Sequence, residues 1–311
     1  MRVPDALRRS VERRLGPLTV VAPVGGGSIN QTLRVEVDGR PGFLKHNGAA
    51  PAGFFRAEVQ GLDTLRAVRD GPRIPQVIAF HDAADAADAA DAADAAGEED
   101  AGAPSWLLLE WLEPAPRTRD FGPRLAQSLA ALHAPAAGGW GWAEDNFIGA
   151  LPQANGSTGT WAEFWRDRRL MPQIEMARDL ARLPGRDGLW DRLLDRLPDA
   201  LAAGEADGPS LLHGDLWSGN VLCTGDGEPS LVDPAVYRGH REVDLAMAEL
   251  FGGFGTHFHA AYREALPLKP GYEAVRRPIY QLYYLLVHVN LFGGAYVSQA
   301  NAVLQTALGA L

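Results

Sequence analysis

The segment HGDLWSGN sets Asp215 five residues before Asn220, and a second carboxylate, Asp233, follows after SLV. VLCT and SLVD flank GDGEP, a hairpin signal, so Asn220 is expected to open the first strand and Asp233 to end the second, beside it. A carboxylate and an amide oxygen presented together suit one hard cation. Magnesium prefers one or two carboxylates plus substrate phosphates to a full protein cage. Asp215, a few ångströms away, would accept a proton from an attacking hydroxyl. His213 reads as holding the loop rather than reacting. The plainer alternative is a turn at HGD and an ordinary strand-end carboxylate at Asp233. The pairing of D-x4-N with a strand-returned Asp-Pro favours the first reading.

The N-terminal half offers the complement. GGGSIN, with Gly25, Gly26, Gly27, Ser28 and Asn30, lies between two apolar runs. Its backbone N–H groups could face phosphate oxygens, although most glycine-rich hairpins are only turns. The 29 basic residues are 27 arginines and two lysines, Lys45 and Lys269. A lysine kept against that bias points to a need for a compact ammonium that a planar guanidinium cannot imitate. Lys269, in the proline-bounded LPLKPG, reads as incidental. Lys45 on a strand, with Glu58 early in the next helix, makes a plausible ion pair that would fix the ammonium on nucleotide phosphates. Lys45, the glycine loop and a cation at Asn220/Asp233 together supply the charge neutralisation and positioning that phosphate chemistry demands.

These groups need elements to place them. A helix is expected from about Pro4 to Leu15, then strands at LTVVAPV, QTLRVEV and GFLKH, a helix at FFRAEVQGLDTLRAV, and strands at PQVIAFH and WLLLEWL. That is a small five-stranded sheet with a helix. After Pro116 the periodicity is helical, over about 119–134, 160–182, 188–203, 242–251, 255–265, 272–291 and 295–310. The β-rich island 211–237 interrupts it. Trp161, Phe164 and Trp165 have helical spacing and read as core. Asp244 opens a helix and is expected to brace the loop by hydrogen bonds. Arg241 and Glu242 are expected to pair. Residues 82–100, DAADAADAADAADAAGEED, read as a solvated insertion without chemistry. The net charge is -10, but without those eight acids the balance is 31 to 29, so the body is nearly neutral and carries no basic track for nucleic acid. No apolar run is long enough for a bilayer, MRVPDALRRSVERRL has no apolar signal region, and the one cysteine, Cys223, reads as a small buried hydrophobe. The expected location is the cytoplasm.

In order, the glycine-rich hairpin, strand lysine, helix glutamate, D-x4-N and metal aspartate resemble the protein-kinase fold. Within it, HGDLWSGN, DPAVYRGHREVDLA, DNFIG-x3-Q-x-N (Asp145 to Asn155) and H-x-N-L-F-G-G-x-Y (His288 to Tyr296) resemble the fructosamine kinases, or ketosamine kinases, from roughly Val20 to the C-terminus. HGD-x4-N alone would also suit aminoglycoside or choline phosphotransferases. Trp217 and the GHREVDLA continuation point to the ketosamine branch. The DAA insertion is not part of that pattern.

The resemblance implies an α+β, bilobal fold. An N-lobe over 1–112, carrying the insertion 82–100, would bind nucleotide, and a mainly helical C-lobe over 113–311 would carry catalysis and substrate. It implies ATP-dependent phosphorylation of the 3-hydroxyl of a ketosamine, free or protein-bound. Asp215 would be the general base, Asn220 and Asp233 the Mg2+ ligands, and Lys45, held by Glu58, an ATP contact. Glu110 to Leu112 match the adenine-binding hinge. Trp217 could pack on the sugar or its amine carrier, or could equally be a core residue steadying the loop. His288, with Tyr284 and Gln281 on the same helix face, could look into the cleft, although a lone helical histidine is more often a satisfied core residue. No membrane or nucleic-acid partner is expected, and the chain would be a monomer or weak dimer.

Overall fold

The computed structural model describes residues 3–25, 29–83, 102–183, 188–225 and 227–311. Gly26, Gly27, Ser28 and most of the DAA run lie outside them. Contacts divide the chain into two units: Met1–Ala67 with Arg73–Arg117 and Leu222–Val232, and Val68–Pro72 with Thr118–Val221 and Asp233–Leu311.

The first unit begins with α1 (Asp5–Leu15), then β1 (Leu18–Pro23), β2 (Gln31–Val37), β3 (Arg40–Asn47), α2 (Phe54–Arg66), β4 (Val77–His81) and β5 (Ser105–Glu110). The strands form one antiparallel sheet in the order β1-β2-β3-β5-β4. Alternation along β3 assigns its side chains to two faces. Leu44 joins Leu33, Val35, Trp106 and Leu108 under Leu7 and Val11 of α1. Lys45 points the other way and meets Glu58 of α2. With both faces covered, β5 can be apolar throughout, which explains the run WLLLE. Trp106 still finds a partner for its indole N–H in Ser10 Oγ at 2.9 Å.

One acid of the DAA run has a structural role. Asp82 is buried, and its carboxylate accepts from the backbone N–H groups of Phe55 (3.1 Å) and Arg56 (2.8 Å) in the first turn of α2. It caps from a distance a helix whose own N-cap is Gly53, a residue with no side chain to offer. The expectation that the run starting at Asp82 carries only solvated charge is therefore wrong at its first residue.

The second unit follows with α3 (Phe121–Leu132), the hairpin β6 (Asn146–Ile148) and β7 (Leu151–Gln153), and α4 (Trp161–Phe164). A Thr160–Glu163 capping box starts α4. The chain then widens into a π-helical stretch, Trp165–Leu170, before α5 (Met171–Asp179). Periodicity predicts one uninterrupted helix here. The wider turns allow Trp161, Phe164, Trp165, Arg169 and Leu170 all to be buried. The helix expected over 188–203 is instead α6 (Leu189–Ala200), with Pro198 in its last turn, and α7 (Ala202–Asp207). β8 (Ser210–Leu212), a 3-10 turn at Ser218–Asn220, β9 (Val221–Thr224), β10 (Glu228–Leu231) and β11 (Tyr237–Gly239) make the predicted island, of which Leu222–Val232 is counted with the first unit. β8 pairs with β11, and β9 with β10. Last come α8 (Glu242–Phe251), α9 (Gly255–Ala265), a π turn at Tyr272–Arg276, α10 (Arg277–Phe292) and α11 (Ala295–Ala310). Among the described residues no helix is long and apolar enough to cross a membrane.

Two charge assignments change. Arg241 does not pair with Glu242. Its guanidinium reaches Asp207 at 3.3 Å, while Glu242 binds Arg276 at 2.6 Å. Lys269 is not incidental, since its ammonium lies 2.6 Å from Asp207. His240 bridges Tyr280 (2.8 Å) and Asp207 (3.2 Å). Burial works against the Asp207 carboxylate, but the bonds from His240 and Lys269 and the nearby charges outweigh it and hold its pKa well below the usual range. Burial pulls the His240 pKa down despite its acidic neighbours.

Two predictions follow from this packing. Replacing Asp82 by alanine uncaps α2 and should cost about 1 kcal/mol in urea denaturation. Both shifts, of Asp207 and of His240, leave the unfolded chain binding more protons, so each group's share of the stability falls with falling pH. His240's share is complete above about pH 6.5 and is lost below it, and Asp207's is complete above about pH 4 and is lost below that. Asp215, raised to about 7, works against the His240 share between pH 7 and 4, so the clear signal lies lower: the thermal midpoint should drop below about pH 4, and that drop should be smaller in Asp207→Asn.

Candidate active site

The HGD loop leaves β8 and is tied down from three directions. Asp244, fully buried in the first turn of α8, accepts from the backbone N–H of His213 (2.8 Å) and of Gly214 (2.9 Å). The same carboxylate takes His133 Nε2 at 3.1 Å, so His133 Nδ1 is left to accept the Tyr262 hydroxyl at 2.8 Å. Tyr284 of α10 donates its hydroxyl to the Gly214 carbonyl at 2.8 Å. Ala235 N–H donates to the His213 carbonyl at 2.8 Å, so the approach from Asp233 lies against the loop. Gly214 has φ +82°, and a Cβ there would stand 2.0 Å from the Ala235 carbonyl oxygen. That contact is with backbone and admits only glycine. His213 is buried and accepts the Asp215 N–H on Nδ1 at 3.3 Å, the loop-holding role expected of it.

From this fixed stem the loop presents Asp215, which is half-buried. Asn220 Nδ2 donates to the Asp215 carbonyl (2.9 Å), to its carboxylate (3.1 Å) and to the Asp233 carbonyl (3.4 Å). With its nitrogen so committed, the amide presents its oxygen, the atom a hard cation takes. Burial pushes the Asp215 carboxyl up to about 7; the Asn220 bond opposes the rise, and the charges of Asp233 and Asp244 add to it. The structure thus brings Asp215, Asn220 and Asp233 together. One detail differs from expectation: β10 ends at Leu231, and Asp233 lies beyond it at φ +57°. An extended residue would carry the carboxylate onward along the strand. The left-handed turn redirects it, a conformation that aspartate tolerates better than most residues. Among the described residues, no group of three or more His, Cys, Asp or Glu side chains could cage a metal, so a cation here would draw on Asn220, Asp233 and external ligands.

A polar hairpin backs this turn. Asn146 and Gln153 are register partners on β6 and β7. Asn146 donates to the Val236 carbonyl (2.8 Å), and Gln153 donates to Asn146 Oδ1 (2.7 Å) and to the Ala235 carbonyl (3.2 Å). Tyr283 donates to Gln153 Oε1 at 2.7 Å. In the sequence Asp145–Asn155 stands out only as a family signature. Its alternating amides around a glycine turn were the available signal for a buried hydrogen-bonding hairpin.

In the first unit, Lys45 Nζ lies 2.5 Å from Glu58 Oε1, with side-chain exposures of 2% and 11%. Asn30 Oδ1 accepts from Asn47 at 3.2 Å, tying the residue before β2 to the end of β3. A Cβ at Gly25 would meet nothing within 4 Å among the described residues. Glu110 ends β5, with its N–H bound to the Gln76 carbonyl (2.9 Å) and its carboxylate 3.4 Å from Arg73; Leu112 is buried. Cys223 is buried with Sγ 3.2 Å from the Pro116 carbonyl.

The remaining sequence candidates divide. The Trp217 indole covers Gly219, where a Cβ would lie 2.3 Å from the ring, and it packs on the helical core while staying half-buried. His288 is also half-buried, with Nδ1–H donating to the Tyr284 carbonyl at 2.8 Å. Tyr284 and Gln281 do not form an open polar patch with it. Tyr284 is buried against the loop, and Gln281 donates to the Ala246 carbonyl at 3.0 Å. Truncating Asp244 to alanine strands two loop N–H groups and a histidine N–H. Chemical denaturation should register a loss of at least about 2 kcal/mol.

The fructosamine kinase family model matches residues 8–310. A protein of Enterococcus faecium assigned as a ketoamine kinase is 40% identical over 287 residues, covering 92% of this chain and 94% of its own. A chloroplastic protein-ribulosamine 3-kinase of rice is 34% identical over 96% of this chain and 82% of its own. A solved structure from Thermobifida fusca, assigned as a fructosamine-3-kinase, superposes with TM-score 0.81 at 36% identity, covering 99% of this chain and 100% of that one. The aminoglycoside phosphotransferase APH(4)-Ia superposes with TM-score 0.60 at 16% identity over 97% and 98%, a likeness of fold alone. With a protein-kinase-like fold and a family match along nearly its whole length, this chain is a kinase belonging to the fructosamine kinase family.

Proposed function

We propose that the chain transfers the γ-phosphoryl group of ATP to the 3-hydroxyl of a ketosamine, a ribulosamine, erythrulosamine or fructosamine adduct carried by an amine or a protein lysine. The observation that carries this reading is Asp215, a carboxylate lifted to about 7 and hydrogen-bonded to Asn220 on a loop with almost no freedom. A base with that affinity suits the removal of a proton from a sugar hydroxyl as it attacks phosphorus. The names of the curated relatives, ketoamine kinase and ribulosamine 3-kinase, support the acceptor class.

In this reading residues 1–112 handle the nucleotide and 113–311 the acceptor. Lys45, held by Glu58, places its ammonium on nucleotide phosphates, and the glycine-rich segment from Gly25 to Asn30, whose Gly26, Gly27 and Ser28 lie outside the described residues, would offer backbone N–H groups to them. Adenine would take the backbone between Glu110 and Leu112; since the Glu110 N–H already serves Gln76, that residue has only its carbonyl to give. Asn220 Oδ1 and the Asp233 carboxylate are the hard-oxygen donors that would hold Mg2+, which when bound neutralises charge on the phosphates. Asp215 takes the hydroxyl proton, and the Asn220 N–H keeps its carboxylate aimed. Trp217 and His288 contact the acceptor. The biological role would be the repair of glycated amines in the cytoplasm, by a monomer or weak dimer.

Mass spectrometry tests this directly. Wild-type protein with Mg-ATP should add one phosphate to ribulosyl- or fructosyl-lysine peptides and leave an aminoglycoside panel unchanged. Asp215→Asn should lower the rate by about 10²–10⁴-fold with nucleotide binding retained. Phosphate only on aminoglycosides or simple alcohols would refute the acceptor assignment, and full activity in the variant would refute the base.

A further inference from the structure

Four aromatic rings gather at one place in the second unit. Phe251 ends α8, His288 and Phe292 lie one turn apart near the end of α10, and Tyr296 is in the first turn of α11. His288 is the hub, with ring centroids 4.8 Å from Phe251, 5.7 Å from Phe292 and 4.9 Å from Tyr296; Phe292 and Tyr296 are 6.1 Å apart. The planes are tilted by 42–54° rather than stacked. Phe292 is 52% exposed, the most open large apolar side chain among the described residues, and Phe251 is 36% exposed.

The patch joins the Asp215 loop by two separate routes. Phe251 leads into Gly252 and Gly253, and Gly253, at φ +93°, lies so close to the loop that a Cβ would stand 2.5 Å from Ser218 Cβ. On the other side His288 donates to the Tyr284 carbonyl, and the Tyr284 hydroxyl donates to the Gly214 carbonyl. Burial lowers the His288 pKa, with the backbone bond opposing, so its imidazole is neutral at pH 7 and presents no competing positive charge.

We infer that the faces of Phe251, Phe292 and Tyr296 receive the alkylammonium nitrogen of the acceptor. The inference rests on the reading that the acceptor is a ketosamine. The adduct nitrogen of a ketosamine is a secondary amine that is protonated at neutral pH, and it is the group that separates a ketosamine from a free sugar or a neutral alcohol. Aromatic faces attract such a cation through their quadrupole, most effectively when it is substituted and weakly hydrated. The rings therefore select the amine-bearing acceptor, while Asp215 acts on the hydroxyl.

Isothermal titration with 1-deoxy-1-propylamino-ribulose and its neutral ether isostere, 1-O-propyl-ribulose, tests the inference without requiring turnover. Wild-type protein should prefer the amine. Phe251→Leu, Phe292→Leu and Tyr296→Leu, which keep apolar bulk and remove the π face, should each weaken the amine by about two- to five-fold and leave the ether unchanged. Because two of the three rings are open to solvent, the variants should melt as the wild type does, and the remaining two serve if one does not. Equal loss for amine and ether, or no wild-type preference, would overturn the inference. Phosphate transfer to the amine is scored separately. A ring-dependent preference without transfer would sink the kinase reading alone, and transfer without that preference would sink this inference alone.

Discussion

The carboxylate of Asp244 has no exposure to water, and a buried carboxylate persists only if hydrogen-bond donors converge on it. Here they come from different parts of the chain: two successive backbone N–H groups of the HGD loop, and the ring of His133 at the end of α3. Two adjacent N–H groups can face one acceptor only if the backbone turns sharply, which is what φ +82° at Gly214 provides. Once that turn is set, the next residue, Asp215, has little choice of direction. Tyr284 closes the remaining freedom by binding the Gly214 carbonyl. Asp215 is thus aimed by Asp244, which grips the loop through its backbone N–H groups and is itself anchored by His133.

The same logic governs the first unit. Lys45 is buried, so its ammonium needs Glu58; Glu58 is in place only if α2 starts where it does; and α2 starts there with two of its N–H groups on the carboxylate of Asp82. A cap supplied from twenty-six residues away or more joins strand β4 to the helix that holds the lysine. The acidic run that follows Asp82 obscures this role in the sequence.

Around Asp233 the structure uses neutral groups in place of charges. The β6–β7 amides bind the carbonyls of Ala235 and Val236, so the chain leaving the left-handed turn at Asp233 is fixed by side chains. Arg169 supports the hairpin through the Ala154 carbonyl and Asn155 Oδ1, at 2.6 and 2.8 Å. Its buried guanidinium lies 3.8 Å from the centroid of the Tyr237 ring, where a π face offsets part of the desolvation. The π-helical stretch that contains Arg169 makes room for it beside Trp165.

Much of this was legible in the residues themselves. Period-2 and period-3.6 patterns located the five strands and most helices, several to the residue, because each element has one face that must be apolar. The order of Lys45, Glu58, Asp215, Asn220 and Asp233 resembles the protein-kinase fold, and that is the fold the chain has. The Lys45–Glu58 pair was among the legible ones, whereas for other charges tertiary structure alone decided the partner. Arg241 chose Asp207 over its neighbour Glu242, Lys269 acquired a carboxylate, and Asp82 became a cap, because pairing depends on distances across space that sequence separation does not report. The π stretches likewise follow from how bulky rings share one core, a volume constraint to which periodicity is blind. The cluster of rings about His288 is the plainest case: its members come from three helices, and only the folded chain makes them neighbours.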